Sequence, residues 1–278
     1  FDRQVYIELP DMAGRREILD LYAKRVKVDD TVNLQDIARG TTGFSGADLE
    51  NLLNEAALHA VRNGRSEITP DDMEEARDKI IMGPRKIRKM RPEDIKLTAY
   101  HEAGHAILAR LLPNCDPVHE VSIIPRGLAA GYTMTRPDSD DNHLTKAKLL
   151  DDIVMTLGGR VAEEIIIKDI SAGASGDIQA VSKRARLMVT EWGMSEKVGP
   201  ISYGSDKEVF IGRDLAHTRS YSEAVANSID EEVRIIIDDC YGKAKQLLEE
   251  HKAILEACAE LLLEKEKISR EEFEALFD

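Results

Sequence analysis

Within the stretch Thr98 to Leu112, TAYHEAGHAILARLL, His101, Glu102 and His105 stand at a spacing that can do chemistry. On a helix of 3.6 residues per turn, positions i and i+4 share a face, so the two imidazoles can converge on one Zn²⁺. Glu102 then lies within reach of a water on that metal. Zinc lowers the pKa of such a water towards about 7, and a neighbouring carboxylate takes the proton as hydroxide attacks a peptide carbonyl. The spacing therefore predicts zinc-dependent peptide hydrolysis.

HExxH alone recurs by chance in roughly one chain in a hundred of this length, and two histidines on a helix can also be core or surface residues. The flanking residues add weight to the metal reading. Ala99, Ala103, Ala106 and Ala109 keep the helix slender. Gly104 costs roughly 1 kcal/mol against alanine in a helix, so it implies a close backbone approach by a second element. The extended HExxHxxGxxH pattern is excluded, because leucine occupies both 108 and 111.

Several elements could complete or carry this site. Lys146 to Ile167 has a helical period interrupted by Gly158 and Gly159, and its Glu163 and Glu164 are candidate ligands or solvated charges. Asp177 opens another helix after a glycine-rich turn, as a cap or a ligand, and spacing favours the cap. Two β-rich runs, Val121 to Ile124 and Gly131 to Thr135, predict a two-stranded sheet. It could buttress the helix or pair with an extended polypeptide along its edge. Arg126 and Tyr132 could touch substrate. His119 and His143 have no register with the motif and read as surface or loop residues.

The first ninety residues predict a small helical bundle that, alone, reads as an interaction module. Val5, Ile7 and Leu9 alternate as a short strand ended by Pro10. Gly14 to Val26 and Leu34 to Ala38 read as helices. Ser45 with Asp48 and Thr69 with Asp72 form capping boxes for two more. GPRKIRKMRPE, from Gly83, reads as a linker, and Pro92 starts the HEAGH helix. Towards the carboxy terminus, Gly199 to His217 reads as strand fragments and loop. A helix of some thirty residues then starts at Ser220, followed by helices at Lys252 to Lys265 and after Ser269.

Composition limits the alternatives. The 278 residues carry a net charge of −14, which argues against a nucleic-acid partner, and 42% hydrophobic residues supply ample core. Three scattered cysteines read as reduced, mostly buried thiols in a cytosol-like compartment. Without an apolar run of roughly 18 residues or a signal-peptide pattern, the chain as it stands is expected neither to span a membrane nor to be exported.

HEAGHA, VSIIPRG with GYT, LGGRVAEE, GASGDI and WGMSEKVGP follow FDRQV, PD, GR, GFSGADL and NEAAL in one collinear order. Together they resemble the FtsH family of membrane-anchored, ATP-dependent zinc proteases, including its mitochondrial relatives. The resemblance implies a mainly α fold: residues 1–87 as the end of an AAA+ module, chiefly its helical lid, and 88–278 as a mostly helical zinc peptidase domain with a small β-sheet. It implies His101, His105 and Asp177 as zinc ligands, Glu102 as the catalytic base, and Glu163 and Glu164 as structural helix residues. Gly176 departs from the asparagine that many relatives carry there. Gly46 and Ala47 match a lid turn near adenine.

The same resemblance implies Zn²⁺ here, with ATP and Mg²⁺ in the full-length protein only, because no GxxxxGK[ST] loop occurs in this chain. Further implications are unfolded polypeptide substrates, homo-hexameric rings, and anchoring by amino-terminal membrane helices with the catalytic domains facing the cytoplasm. Two other readings stand beside it: a helical binding module with an incidental HExxH, and a metallopeptidase that acts on short peptides without ATP.

Overall fold

The computed structural model describes residues 3, 5–86, 90–127, 129–137, 144–203 and 221–278. Four helices come first: α1 (Met12–Ala23), α2 (Leu34–Arg39), α3 (Gly46–Arg62) and α4 (Pro70–Met82). Leu19, Ile37, Leu49, Leu52, Leu53 and Met73 form their common core. Both expected capping boxes are complete, Ser45 with Asp48 and Thr69 with Asp72, each satisfying amides that would otherwise lack partners. The strand expected at Val5 to Leu9 is absent. Val5 and Ile7 are 82% and 92% exposed, and no described strand lies beside this segment to form a ladder with it.

The second core surrounds α5 (Pro92–Leu111) and α6 (Lys146–Ile167). Between them in sequence run β1 (Val118–Ser122) and β2 (Tyr132–Thr135), so β1 lies earlier than expected. After α6 come a 3₁₀ turn at Ala172–Ala174, α7 (Ser175–Thr190), α8 (Glu223–Glu250), α9 (Lys252–Lys265), β3 (Lys267–Ser269) and α10 (Arg270–Glu274). The sheet has three antiparallel strands in the order β2-β1-β3, where two were expected. Glu266, at φ 61°, turns the chain back after α9 so that buried Ile268 pairs with Val121.

The fold is mainly α with a small sheet. Helix α6 runs unbroken through Gly158 and Gly159, and α8 is capped by Ser222 rather than by Ser220, which lies outside the described residues. The expected strand fragments at 199–217 also fall mostly outside them. Cys240 and Cys258 are buried, Cys115 is partly buried, and all three are free thiols. Among the described residues no helix is long and apolar enough to cross a membrane.

Candidate metal centre

Helix α5 presents His101 and His105 one turn apart, with their Nε2 atoms 3.1 Å from each other and the rings nearly perpendicular. Glycines of α6 make room for them. A Cβ on Gly104 would lie 2.4 Å from the Gly158 carbonyl oxygen, and one on Gly158 would lie 2.6 Å from that of Gly104. The two backbones touch where any side chain would separate them. Gly159 lies against the imidazoles, since a Cβ there would come within 2.5 Å of His101 Nε2 and 2.6 Å of His105 Nε2.

The outer ring nitrogens are already engaged. His101 Nδ1 lies 2.8 Å from Glu163 Oε1, and the buried Glu163 carboxylate also accepts from Ser171 N at 3.0 Å. The nearest partner of His105 Nδ1 is the Met155 carbonyl at 2.9 Å, which can only accept. With these partners, rings that hold a metal through Nε2 would carry their protons on Nδ1, although the Gly159 amide also lies 3.3 Å from His105 Nδ1. Asp177 Oδ2 joins them, 3.1 Å from His101 Nε2 and 3.6 Å from His105 Nε2.

Donors this close are held together either by a proton shared between them or by a cation among them. Tetrahedral zinc with bonds of about 2.0–2.1 Å places its donors about 3.3 Å apart, so the observed separations fit that ion. The field has the matching sign. Burial works against a charged ring at His101, yet the carboxylates of Asp177 and Glu163 hold its pKa up to about 10. Burial also opposes charge on Asp177, but the two facing imidazoles keep its carboxyl far below the ordinary carboxylate range.

Glu102 sits beside this cluster, buried. Desolvation pushes its carboxyl above the ordinary range, while His105, His101 and the Thr133 hydroxyl pull back. Thr133 Oγ1 lies 3.0 Å from Glu102 Oε2 and equally far from the Glu102 carbonyl, so β2 touches the carboxylate directly. Glu102, both imidazoles and Asp177 open into a cleft of about 1240 Å³. Leu97, Met155 and Ala129 supply apolar wall, and Gly131 with Tyr132 and Thr133 of β2 line it. The other edge of β2, away from β1, has no partner strand among the described residues.

The remaining candidates fall into place around this centre. Asp177 is the third residue of α7, whose N-cap residue Ala174 makes no side-chain cap, so its carboxylate faces the imidazoles instead of capping. Glu163 holds the far nitrogen of His101, away from the converging donors. Glu164 binds Lys245 Nζ at 2.8 Å and the Tyr241 hydroxyl. Of the expected substrate contacts, Arg126 does not line the cleft, and Tyr132 lines it but has its hydroxyl engaged by Glu120 and Asp78. Arg126 is 1% exposed and paired with Glu75, and the Tyr132 hydroxyl lies 2.7 Å from Glu120 Oε1.

His119 stands on β1 rather than on a surface loop, 3.7 Å from Glu74 Oε1, and Lys267 Nζ already neutralises the neighbouring Glu120 at 2.9 Å. His143 lies outside the described residues. Gly46 and Ala47 form the first turn of α3 and do not line the cleft. Sequence reasoning missed Thr133, Met155 and the Glu163–His101 contact. Met155, Gly159 and Glu163 recur every four residues along α6, and that stripe was the available signal.

The expected linker is not slack where it is described, because Lys86 donates its amide to the Pro125 carbonyl at 2.9 Å and lines the cleft with Met90 and Arg91.

Comparison with known proteins gives the family. Residues 88–276 match the sequence profile of peptidase family M41, and residues 31–75 match an AAA+ lid domain. The chain is 51% identical over 280 residues to ATP-dependent zinc metalloprotease FtsH 1 of Thermoanaerobacter sp. (strain X514), covering 100% of this chain and 46% of that protein. Against ATP-dependent zinc metalloprotease FtsH of Caldicellulosiruptor bescii the identity is 50%, over 99% of this chain and 45% of the relative. Against that of Thermotoga maritima it is 46%, over 98% and 45%. The chain thus spans less than half the length of these curated relatives. With a profile match across most of its residues and about half of them identical to FtsH proteins from several bacteria, the chain belongs to peptidase family M41.

Proposed function

We propose that residues 88–278 form a zinc endopeptidase domain in which His101, His105 and Asp177 hold the metal and Glu102 is the general base. The observation that carries this reading is the convergence of three donor atoms whose outer partners already fix both imidazoles. Two neutral rings and one carboxylate would leave the site at net +1, suited to a Lewis acid. Zinc, when bound, polarises the scissile carbonyl and acidifies a water.

The chain's own groups do the rest. Glu102 takes a proton from the attacking water at its carboxylate and hands it to the nitrogen of the departing strand. Thr133 holds that carboxylate beside the imidazoles, and Glu163 fixes the ring of His101. The free edge of β2 pairs with the substrate backbone, which recognises an extended polypeptide without regard to its side chains. Unfolded segments are therefore the substrate class.

Residues 1–87, in the same reading, are the lid end of an AAA+ module. ATP with Mg²⁺ would then drive substrate delivery in the longer protein, with Gly46 and Ala47 near the adenine. Homo-hexameric assembly and membrane anchoring, with the catalytic domains on the cytoplasmic side, belong to that longer protein.

Glu102→Gln is the test. The variant should keep its zinc and lose cleavage of an unfolded protein substrate by about 10²–10⁴-fold. Turnover at the wild-type rate would remove Glu102 from the mechanism. A wild type that binds no zinc would favour the binding-module reading.

A further inference from the structure

Helix α4 belongs to the first helical core, yet Glu75 and Asp78 on it are covered by the β1–β2 hairpin. Arg126 binds Glu75 through two parallel contacts, Nη1 to Oε1 at 2.9 Å and Nη2 to Oε2 at 2.6 Å. Arg85 binds the same carboxylate at 2.6 Å. The Tyr132 hydroxyl lies between Glu120 Oε1 and Asp78 Oδ2, at 2.7 and 3.1 Å, and buried Arg77 balances Asp78 at 2.8 Å. Backbone contacts close the joint. Gly127 N donates to the Pro84 carbonyl at 3.2 Å, and a Cβ on Gly127 would lie 2.0 Å from the Met82 carbonyl oxygen.

The same hairpin reaches the metal centre from its other face. Side chains alternate along a strand, so Tyr132 and Thr133 point in opposite directions. One meets α4 and the other meets Glu102, 3.0 Å from Thr133 Oγ1. Gly131 packs just before them, where a Cβ would come within 2.9 Å of Glu102 Cγ. A displacement of α4 is therefore passed to the carboxylate through two adjacent residues of a short strand.

We propose that α4 is a positioning element for the catalytic base: Glu75 with Arg126, and Asp78 with Tyr132, lock the hairpin so that Thr133 holds Glu102 in its working orientation. The proposal rests on the reading of Glu102 as the base. It makes the first helical unit part of the apparatus that aims the peptidase site, so motion of that unit would tune cleavage without touching a metal ligand. Thr133, Tyr132, Arg126 and Glu75 act through Glu102 and are positioning residues.

The test is a double-mutant cycle on the 278-residue chain, using Glu75→Gln, Thr133→Val and the pair. Thr133→Ser serves as the conservative control. Zinc content, kcat and KM for an unstructured fluorogenic peptide, and hydrogen exchange at residues 129–135 are read together. Each single variant should keep its zinc and lower kcat by about ten- to a hundredfold, the cost of a base misplaced by up to an ångström, with KM nearly unchanged. The pair should lose little more than Thr133→Val alone, and Thr133→Ser should restore most of the rate. Exchange at 129–135 should quicken in Glu75→Gln while the α5 amides from 101 to 111 keep their protection.

Wild-type kcat in Glu75→Gln, or losses that multiply in the pair, would overturn the proposal. Loss of cleavage from the wild type itself would count against the peptidase reading instead. The joint would then be judged by exchange alone, and unchanged exchange at 129–135 would refute it.

Discussion

At the α5–α6 crossing, backbone meets backbone through Gly104 and Gly158, whereas α4 meets the β1–β2 hairpin through Glu75, Asp78, Arg126 and Tyr132. Both joints bear on the same cleft. The first sets the imidazoles by steric exclusion, which is intolerant of volume and indifferent to pH. The second sets the neighbouring hairpin by charge and hydrogen bonding, which tolerates small changes of shape but depends on protonation. The site is thus built where a rigid contact and a responsive one converge, and each should fail under a different insult.

The largest effect is expected at the glycine crossing. Gly104→Val forces a branched side chain into a gap where even a Cβ would sit 2.4 Å from a carbonyl oxygen. Destabilisation of about 3 kcal/mol or more should follow, together with loss of bound zinc, as read by denaturant unfolding and metal analysis. A cost below about 1 kcal/mol would show that the crossing relaxes freely, and the contrast between the joints would collapse.

A smaller, pH-dependent effect is expected at the charged joint. Burial works against charge on Glu75, yet Arg126 and Arg85 hold its pKa down to about 2, below the ordinary glutamate value near 4.5. A depressed folded-state pKa stabilises fully above the unfolded value and is lost as pH falls through the folded one. Stability from this joint should therefore be intact at neutral pH and fade between about pH 5 and pH 2. Glu75→Gln should lower stability at pH 7 and flatten that acid limb, because its side chain has no proton to gain. An acid limb of unchanged slope would show that other carboxylates govern it.

Much of this was legible before the structure. The i, i+4 spacing of His101 and His105 needs only helical geometry, and Gly104 announced a close approach that the Gly158 contact supplies. The capping boxes at Ser45 and Thr69 are local, since four consecutive residues contain both donor and acceptor. Non-local pairing was not legible. Strand β3 is only three residues long, and its pairing with β1 depends on the turn at Glu266 and on where α9 packs against α5. Arg126 and Tyr132 looked like substrate contacts because nothing in their own neighbourhood reveals the carboxylates of α4 that claim them. Asp177 lay at a helix start, where spacing favours a cap, and only the packing of α7 against α6 and α8 brings its carboxylate to the imidazoles.

The most direct test of the metal centre is zinc per chain by elemental analysis, on wild type and Asp177→Ala purified in parallel without added metal. A site made of His101, His105 and Asp177 predicts about one zinc per wild-type chain and far less in the variant. Full occupancy in both would contradict the site as described and would move the third ligand to another residue.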